Sequence, residues 1–455
     1  MQYKGNFQIR NPFNLYKDER ILNYLNENQP GYKIFDEICS NLASGMSQKK
    51  ADVVFQSLNQ LYNFLNNKIN YNFGVLLKYD VIQYLIFIFN SRNIFGLCFQ
   101  ELSIKIMNIL INKKDDIAEI IISNRMLPAL FRMIEFCDKR MCFEILYCFT
   151  KLAEHCQNCQ DNVIKFAPLQ KITEILNMND NDLFDISLNF LVTISKYPLD
   201  SSVVEYCFCE FIYILDKQNY TSWKSILGIA YLIEENDISN ELFYNSNLNE
   251  IITITIISND YLMIQATLFL ISNIYKMGLN VLGMSFIPII GKLHFNYSKD
   301  YELSNQIVIF TATAIKNIAK QDVNYINIMI ENGLFEATND VFQKSSFIIK
   351  RSILDYLYCI VKHGCSGNRS KLIDFNILEI FLEMIELGED SDILKGIKSI
   401  SYCFEENTRE KCIMKLQKIQ NSEIIFYLPQ HFNKEIADFS SVFIRQIQEY
   451  LNEKQ

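Results

Sequence analysis

The sequence predicts an all-α chain folded as a right-handed superhelical solenoid of about ten stacked repeats. Three observations carry that expectation. Glycine (14) and proline (7) are scarce for 455 residues, which disfavours a turn-rich β protein and suits long helices with short connections. Apolar residues recur at helical spacing over most of the chain. Those helical runs themselves recur about every 42 residues, the mark of a repeat architecture.

With 49% hydrophobic residues, a chain of this length has no difficulty burying a core. The net charge of −9 carries no basic nucleic-acid footprint and mildly favours basic partners. MQYKGNFQIRNPFN at the start has no apolar core of signal-peptide length. The longest apolar stretches, YLIFIF (84–89) and FIPIIG (286–291), are far below a membrane span. The 13 cysteines are scattered through helix-like runs, as expected of small buried hydrophobes in a reducing compartment. Ile, Asn, Lys, Tyr and Phe are all abundant, so a single Asn or Lys carries less meaning than usual.

LISNIYKMG (270–278) serves as a template for the repeat, with Asn273 as its key position. AIKNIAKQD (314–322) puts Asn317 over Asn273; YLYCIVKHG (356–364) and SISYCFEEN (399–407) put Cys359 and Tyr402 there. Towards the N-terminus the same position holds Tyr231, Thr193, Lys151, Ile109 and Asn63. Successive key positions are 46, 42, 42, 38, 42, 44, 42 and 43 residues apart. Five before, two before and one after each key position the residue is apolar or Cys, which marks one face of a helix. A second periodic run precedes the long helix, as in SNRMLPALFRMIEF (123–136) and DFNILEIFLEMIEL (374–387), and a further short one often precedes that. The unit is short helix, second helix, long helix. One unit cannot bury its apolar face alone, so neighbours must stack.

This three-helix unit resembles the armadillo repeat, whose period is about 40–47 residues. KIFDEICSNLASGMSQKKADVVFQSLNQLYNFL (33–65) resembles the first repeat of importin-α, the nuclear import adaptor. HGCSGNRSKLIDFNILEIFLEMIEL (363–387) resembles the join between its eighth and ninth repeats, and HFNKEIADFSSVFIRQIQEYL (431–451) its closing helix. The resemblance implies an N-terminal segment 1–32, partly disordered, and a solenoid over 33–453. It implies a concave groove lined by the long helices, binding extended cargo segments, basic ones among them, for nuclear protein import, in the cytoplasm, the nucleus or both. In that family an Asn and a Trp one turn apart recur along the groove; the amide fixes a peptide backbone and the ring covers a cationic stem. Carried over, Asn273, Asn317 and Phe269 are the candidate peptide-binding residues. Glu154, Glu234 and Glu235, at the ends of long helices, are candidates for an acidic stretch of the groove.

The chain departs from the family elsewhere. Ile109, Lys151 and Thr193 replace the Asn of repeats two to four, and Lys105, Tyr147 and Asn189 the Trp; Lys105 and Lys151 would repel a basic peptide. Thr313, Asp355 and Cys359 stand where Trp, Trp and Asn are expected. Segment 1–32 sets Lys4, Arg10, Lys17 and Arg20 against Asp18, Glu19 and Glu27, so it lacks the basic arm that couples the family to importin-β. HCQNCQ (155–160) has one CxxC and no second pair, so neither a zinc site nor any cofactor is expected. Glu405 and Glu406 read as a solvated helix end. With no phosphate loop, nucleophile elbow or HExxH, no enzyme is expected. Two functions remain: an importin-α-type adaptor, or an armadillo scaffold for protein partners with no import role.

Overall fold

The computed structural model describes residues 31–454 except 68–70, 92–93, 114–115, 124–125, 156, 167–168, 218–221, 279–281, 283–285, 298–304 and 337. Segment 1–32 therefore lies almost wholly outside the described residues, as does Cys156. Among the described residues every regular element is helical, and there is no strand. The chain forms two compact units, 1–194 and 195–455.

The first unit holds α1 (Tyr32–Gln48), α2 (Ala51–Asn66), α3 (Phe73–Lys78), α4 (Val81–Asn90), α5 (Leu97–Ile111) and α6 (Asp116–Ser123). It continues with α7 (Leu127–Ile134), α8 (Lys139–His155), α9 (Gln157–Phe166), α10 (Leu169–Leu176) and α11 (Asn181–Ile194). The long helices α2, α5, α8 and α11 lie side by side, each packed on the next. Shorter helices lie against them, as α4 against α5 and α10 against α11. The template positions are legible in α8, where Leu146, Phe149 and Leu152 are fully buried.

The second unit begins with α12 (Ser201–Lys217), α13 (Trp223–Glu235), α14 (Asn240–Tyr244), α15 (Leu248–Thr255) and α16 (Tyr261–Lys276). Next come α17 (Ile287–Tyr297), α18 (Asn305–Ala319), α19 (Val323–Glu331), α20 (Thr338–Lys344) and α21 (Phe347–His363). The last are α22 (Ser366–Asp374), α23 (Ile377–Leu387), α24 (Asp390–Cys403), α25 (Arg409–Leu416), a 3-10 segment (Ser422–Gln430) and α26 (Lys434–Lys454). Here α13, α16, α18, α21, α24 and α26 form the ladder of long helices.

Short polar residues start these helices. Asp260 Oδ1 accepts from the backbone N–H groups of Leu262 and Met263 at the start of α16, and Asp322 does the same for Asn324 at the start of α19. The core stripe of α16 is Leu268, Ile271 and Ile274, and of α18 Ala312, Ile315 and Ile318, all buried as the template requires.

The repeat with the shortest spacing departs from the three-helix plan. Where the key positions are only 38 residues apart, the single helix α12 precedes α13. SSVVEYCFCEFIYILDK has no glycine, proline or polar step to break it, and Val204, Cys207, Phe208, Phe211, Ile214 and Leu215 give it one unbroken buried stripe. Its packing on α13 is close. A Cβ on Gly228 would lie 2.3 Å from the tip of the Phe211 ring, so the glycine is what lets the ring approach.

Candidate binding face of the long helices

At about 100° per residue, the positions 1, 4 and 7 before and 3 after the key residue fall within an arc of about 120° that excludes the core stripe. In the second unit this arc is half-exposed and chemically dense. Tyr231, Phe269 and Phe310, on α13, α16 and α18, make a chain of ring contacts with centroids 5.5 and 5.9 Å apart. Farther on, Asp355 of α21 takes Lys316 of α18 on one carboxylate oxygen (2.8 Å) and Lys395 of α24 on the other (2.5 Å). Tyr358 and Tyr402 pair across α21 and α24 at 6.1 Å.

Burial pushes the Asp355 carboxyl up, but the hydrogen bonds and charges of Lys316 and Lys395 outweigh it and hold the group below the usual range. Burial also pushes Tyr231 and Tyr402 up, with Glu234 adding to the first and Tyr358 to the second.

The two candidate asparagines are placed differently from expectation. Asn273 is 3% exposed and Asn317 7%, so neither amide stands open on the face. Asn273 Nδ2 donates to the carbonyl of Ala230 on α13 at 3.0 Å. Asn317 Nδ2 donates to the carbonyl and Oγ of Ser272 on α16, at 3.1 and 3.0 Å. The register repeats, because Ala230 and Ser272 each stand one residue before a key position. The long helices pack so closely that the preceding one covers the amide. The asparagines tie neighbouring helices. Phe269, by contrast, keeps part of its ring exposed among the aromatic contacts just described.

The acidic candidates divide. Glu234 pairs with Lys276 of the next long helix at 3.3 Å, whereas Glu235 is exposed. In the first unit Glu154 pairs with Lys151 at 2.7 Å, and Lys105 with Glu101 at 2.5 Å. The two lysines expected to repel a basic peptide are thus each matched by a carboxylate on their own helix.

Sequence reasoning missed several members of this face. Asn108 of α5 donates to the carbonyl (3.0 Å) and a carboxylate oxygen (2.8 Å) of Glu144 on α8, the same kind of tie one residue off the template position. Gln321 donates to the Tyr275 carbonyl at 2.5 Å, next to the Asn317 tie. An amide inside or just after an apolar helical run was the available signal. The Lys316–Asp355–Lys395 bridge left only spacing as its trace: Asp355 stands four residues before its key position and Lys395 seven.

His155 ends α8, and Cys159 is buried in α9. Glu405 accepts from Arg369 and is not a purely solvated end, while Glu406 is exposed.

No family model and no curated protein matches the chain. Among solved structures, it is similar to the crystal structure of an engineered protein. The TM-score is 0.71 at 11% identity, covering 91% of this chain and 98% of that one. At that identity the likeness speaks for the fold alone: an all-helical, repeat-like arrangement of the α-α solenoid type.

Proposed function

We propose that this chain is a non-enzymatic armadillo-type solenoid of about ten repeats that holds an extended protein segment along the face of its long helices. The observation supporting this is the half-exposed strip of aromatic and charged side chains that passes from one long helix to the next, from Tyr231 through Phe269 and Phe310 to the Lys316–Asp355–Lys395 bridge. Such a strip offers ring faces and charges at the spacing of the helices, about 10 Å, which suits a segment running across them. Superhelical repeat proteins use this kind of surface for binding. Affinity purification from cells followed by cross-linking mass spectrometry tests the proposal. Partner cross-links are expected at Lys276, Lys316 and Lys395 and not at the outer Lys371 and Lys411; the opposite distribution sinks it.

The aromatic end of the strip favours a second reading, the importin-α-type adaptor. Phe269 stands where that family places an aromatic, flanked by Tyr231 and near Glu234. Under this reading the same purification yields nuclear transport receptors and basic cargo. The tied asparagines weigh against it, since peptide backbone capture in that family uses those amides.

A further inference from the structure

Across α18 and α21 the only acidic residue is Asp355, whereas the same stretch and α24 bring Lys316, Lys320, Lys362, Lys395 and Lys398 to one arc. Asp355 already bridges Lys316 and Lys395, and Lys398 is paired with Glu435 of α26 at 3.1 Å. Lys320 and Lys362 are exposed and have no carboxylate within ion-pair distance among the described residues. Of these four ammonium groups, Lys316 and Lys395 share the Asp355 carboxylate and Lys320 and Lys362 hold none among the described residues; Glu405, at the same position of its repeat as Lys320 and Lys362 in theirs, is taken by Arg369. The other cations of α21 are engaged elsewhere, Lys350 by Glu383 and Arg351 by Glu389 and Asp392.

The neighbouring groups register this surplus. Burial first, then Lys362 and Lys320, push His363 below the ordinary imidazole range. Lys320, Lys316 and Lys362 all act on the thiol of Cys359, which places all three around the key position of α21. Tyr358 and Tyr402 flank the same spot; their hydroxyls hydrogen-bond each other, which leaves one O–H of the pair to donate to an anion.

We propose that the α18–α21–α24 face binds an acidic, extended protein segment, its carboxylates spread over Lys316, Lys320, Lys362 and Lys395. The inference rests on the protein-binding solenoid reading and names the chemistry of its partner. Long helices about 10 Å apart are spanned by about three residues of extended chain at roughly 3.3 Å each. A segment of about six to nine residues with acids at every second or third position would meet all three helices. Charge selects this occupant over a basic one, because a cationic peptide would meet a net positive surface. A protein segment also suits the patch better than nucleic acid, since the chain as a whole carries −9 and has no extended basic footprint. Screening confines the attraction to about a Debye length, roughly 8–10 Å in physiological salt, so the overall negative charge does not cancel it.

The test is fluorescence anisotropy on the full chain with a labelled nine-residue peptide of alternating Glu and Ser, and its Gln-for-Glu counterpart. The acidic peptide is expected to bind, more weakly as salt rises, and the Gln peptide not to bind. Lys320→Gln with Lys362→Gln alters two exposed side chains, so helicity by circular dichroism should be unchanged. Exposed ion pairs set the expected loss at roughly two- to thirtyfold. Asp355→Asn should tighten binding by freeing the lysines it holds. Equal binding of both peptides, no binding of the acidic one, or full affinity in the double variant overturns the inference. So does an oligouridylate nonamer that binds more tightly and is lost in the same variant. If purified partners cross-link to the long-helix face through basic or neutral segments, this inference fails and the solenoid reading stands. If partners avoid that face, both fail.

Discussion

Replacing Asn273 and Asn317 with alanine separates a tie between helices from a contact awaiting a ligand. Asn273 contributes one hydrogen bond, to Ala230, and Asn317 two, to Ser272. At about 0.5–1.5 kcal/mol net for each, the three bonds amount to roughly 1.5–4.5 kcal/mol for the double variant. The two sites share α16, and Ser272 adjoins Asn273 in the chain, so the single effects should not sum cleanly; a double-mutant cycle should show coupling. Urea unfolding gives the total, and hydrogen exchange locates it. Protection should fall in α13, α16 and α18 and hold in α24. Unchanged stability and unchanged exchange, together with loss of a purified partner, would refute the reasoning and return both amides to the role of peptide ligands.

Three other outcomes follow from the packing and the charges. Gly228→Ala drives a methyl into the Phe211 ring and should cost about 1–3 kcal/mol by urea midpoint, with Phe211→Leu recovering part of it. Arg369 is buried and donates to the Val361 carbonyl at 2.7 Å and to Glu405, so Arg369→Ala should cost about 2–4 kcal/mol, and Arg369→Lys should recover little because one ammonium cannot cover both acceptors. Thr311 donates to the Val308 carbonyl, so His294 Nδ1 is the donor to Thr311 Oγ1, which leaves Nε2 buried as a bare acceptor. Burial lowers this imidazole to about 4 from 6.5. The unfolded chain then binds the proton first as pH falls, so the stabilisation is whole above 6.5 and is lost as pH drops towards 4. The loss should approach about 3 kcal/mol, and His294→Phe should flatten the stability–pH curve over that window.

Much of the fold was legible because the apolar triplet around each key position reports only on its own helix. Leu268, Ile271 and Ile274 announce a buried face whatever packs on it. The fate of Asn273 was not legible in the same way. Whether an amide beside that face is open or covered depends on where the next helix's carbonyls fall, and Ala230 lies 43 residues away. The single helix α12 left a trace, the 38-residue spacing, but a gap in a period does not say which segment absorbs it. The lysine surplus was hidden for another reason. In a chain rich in lysine the count means little, and only the partners found by folding show that Lys316 and Lys395 share one carboxylate while Lys320 and Lys362 have none among the described residues.

Three side-chain amides of the second unit that reach a backbone carbonyl of the preceding long helix point the same way along the chain: Asn273 to Ala230, Asn317 to Ser272, Gln321 to Tyr275. In each, the donor is made after its acceptor. During synthesis a finished long helix already displays the carbonyl that the next one must find, and the next arrives a few seconds later at about 5–20 residues per second. Growth from the N-terminal side can then proceed as docking onto a prepared edge, each helix read by its successor before the whole is complete. Refolding of the entire chain from denaturant lacks that order of arrival, and any of these donors can meet a carbonyl of the wrong helix.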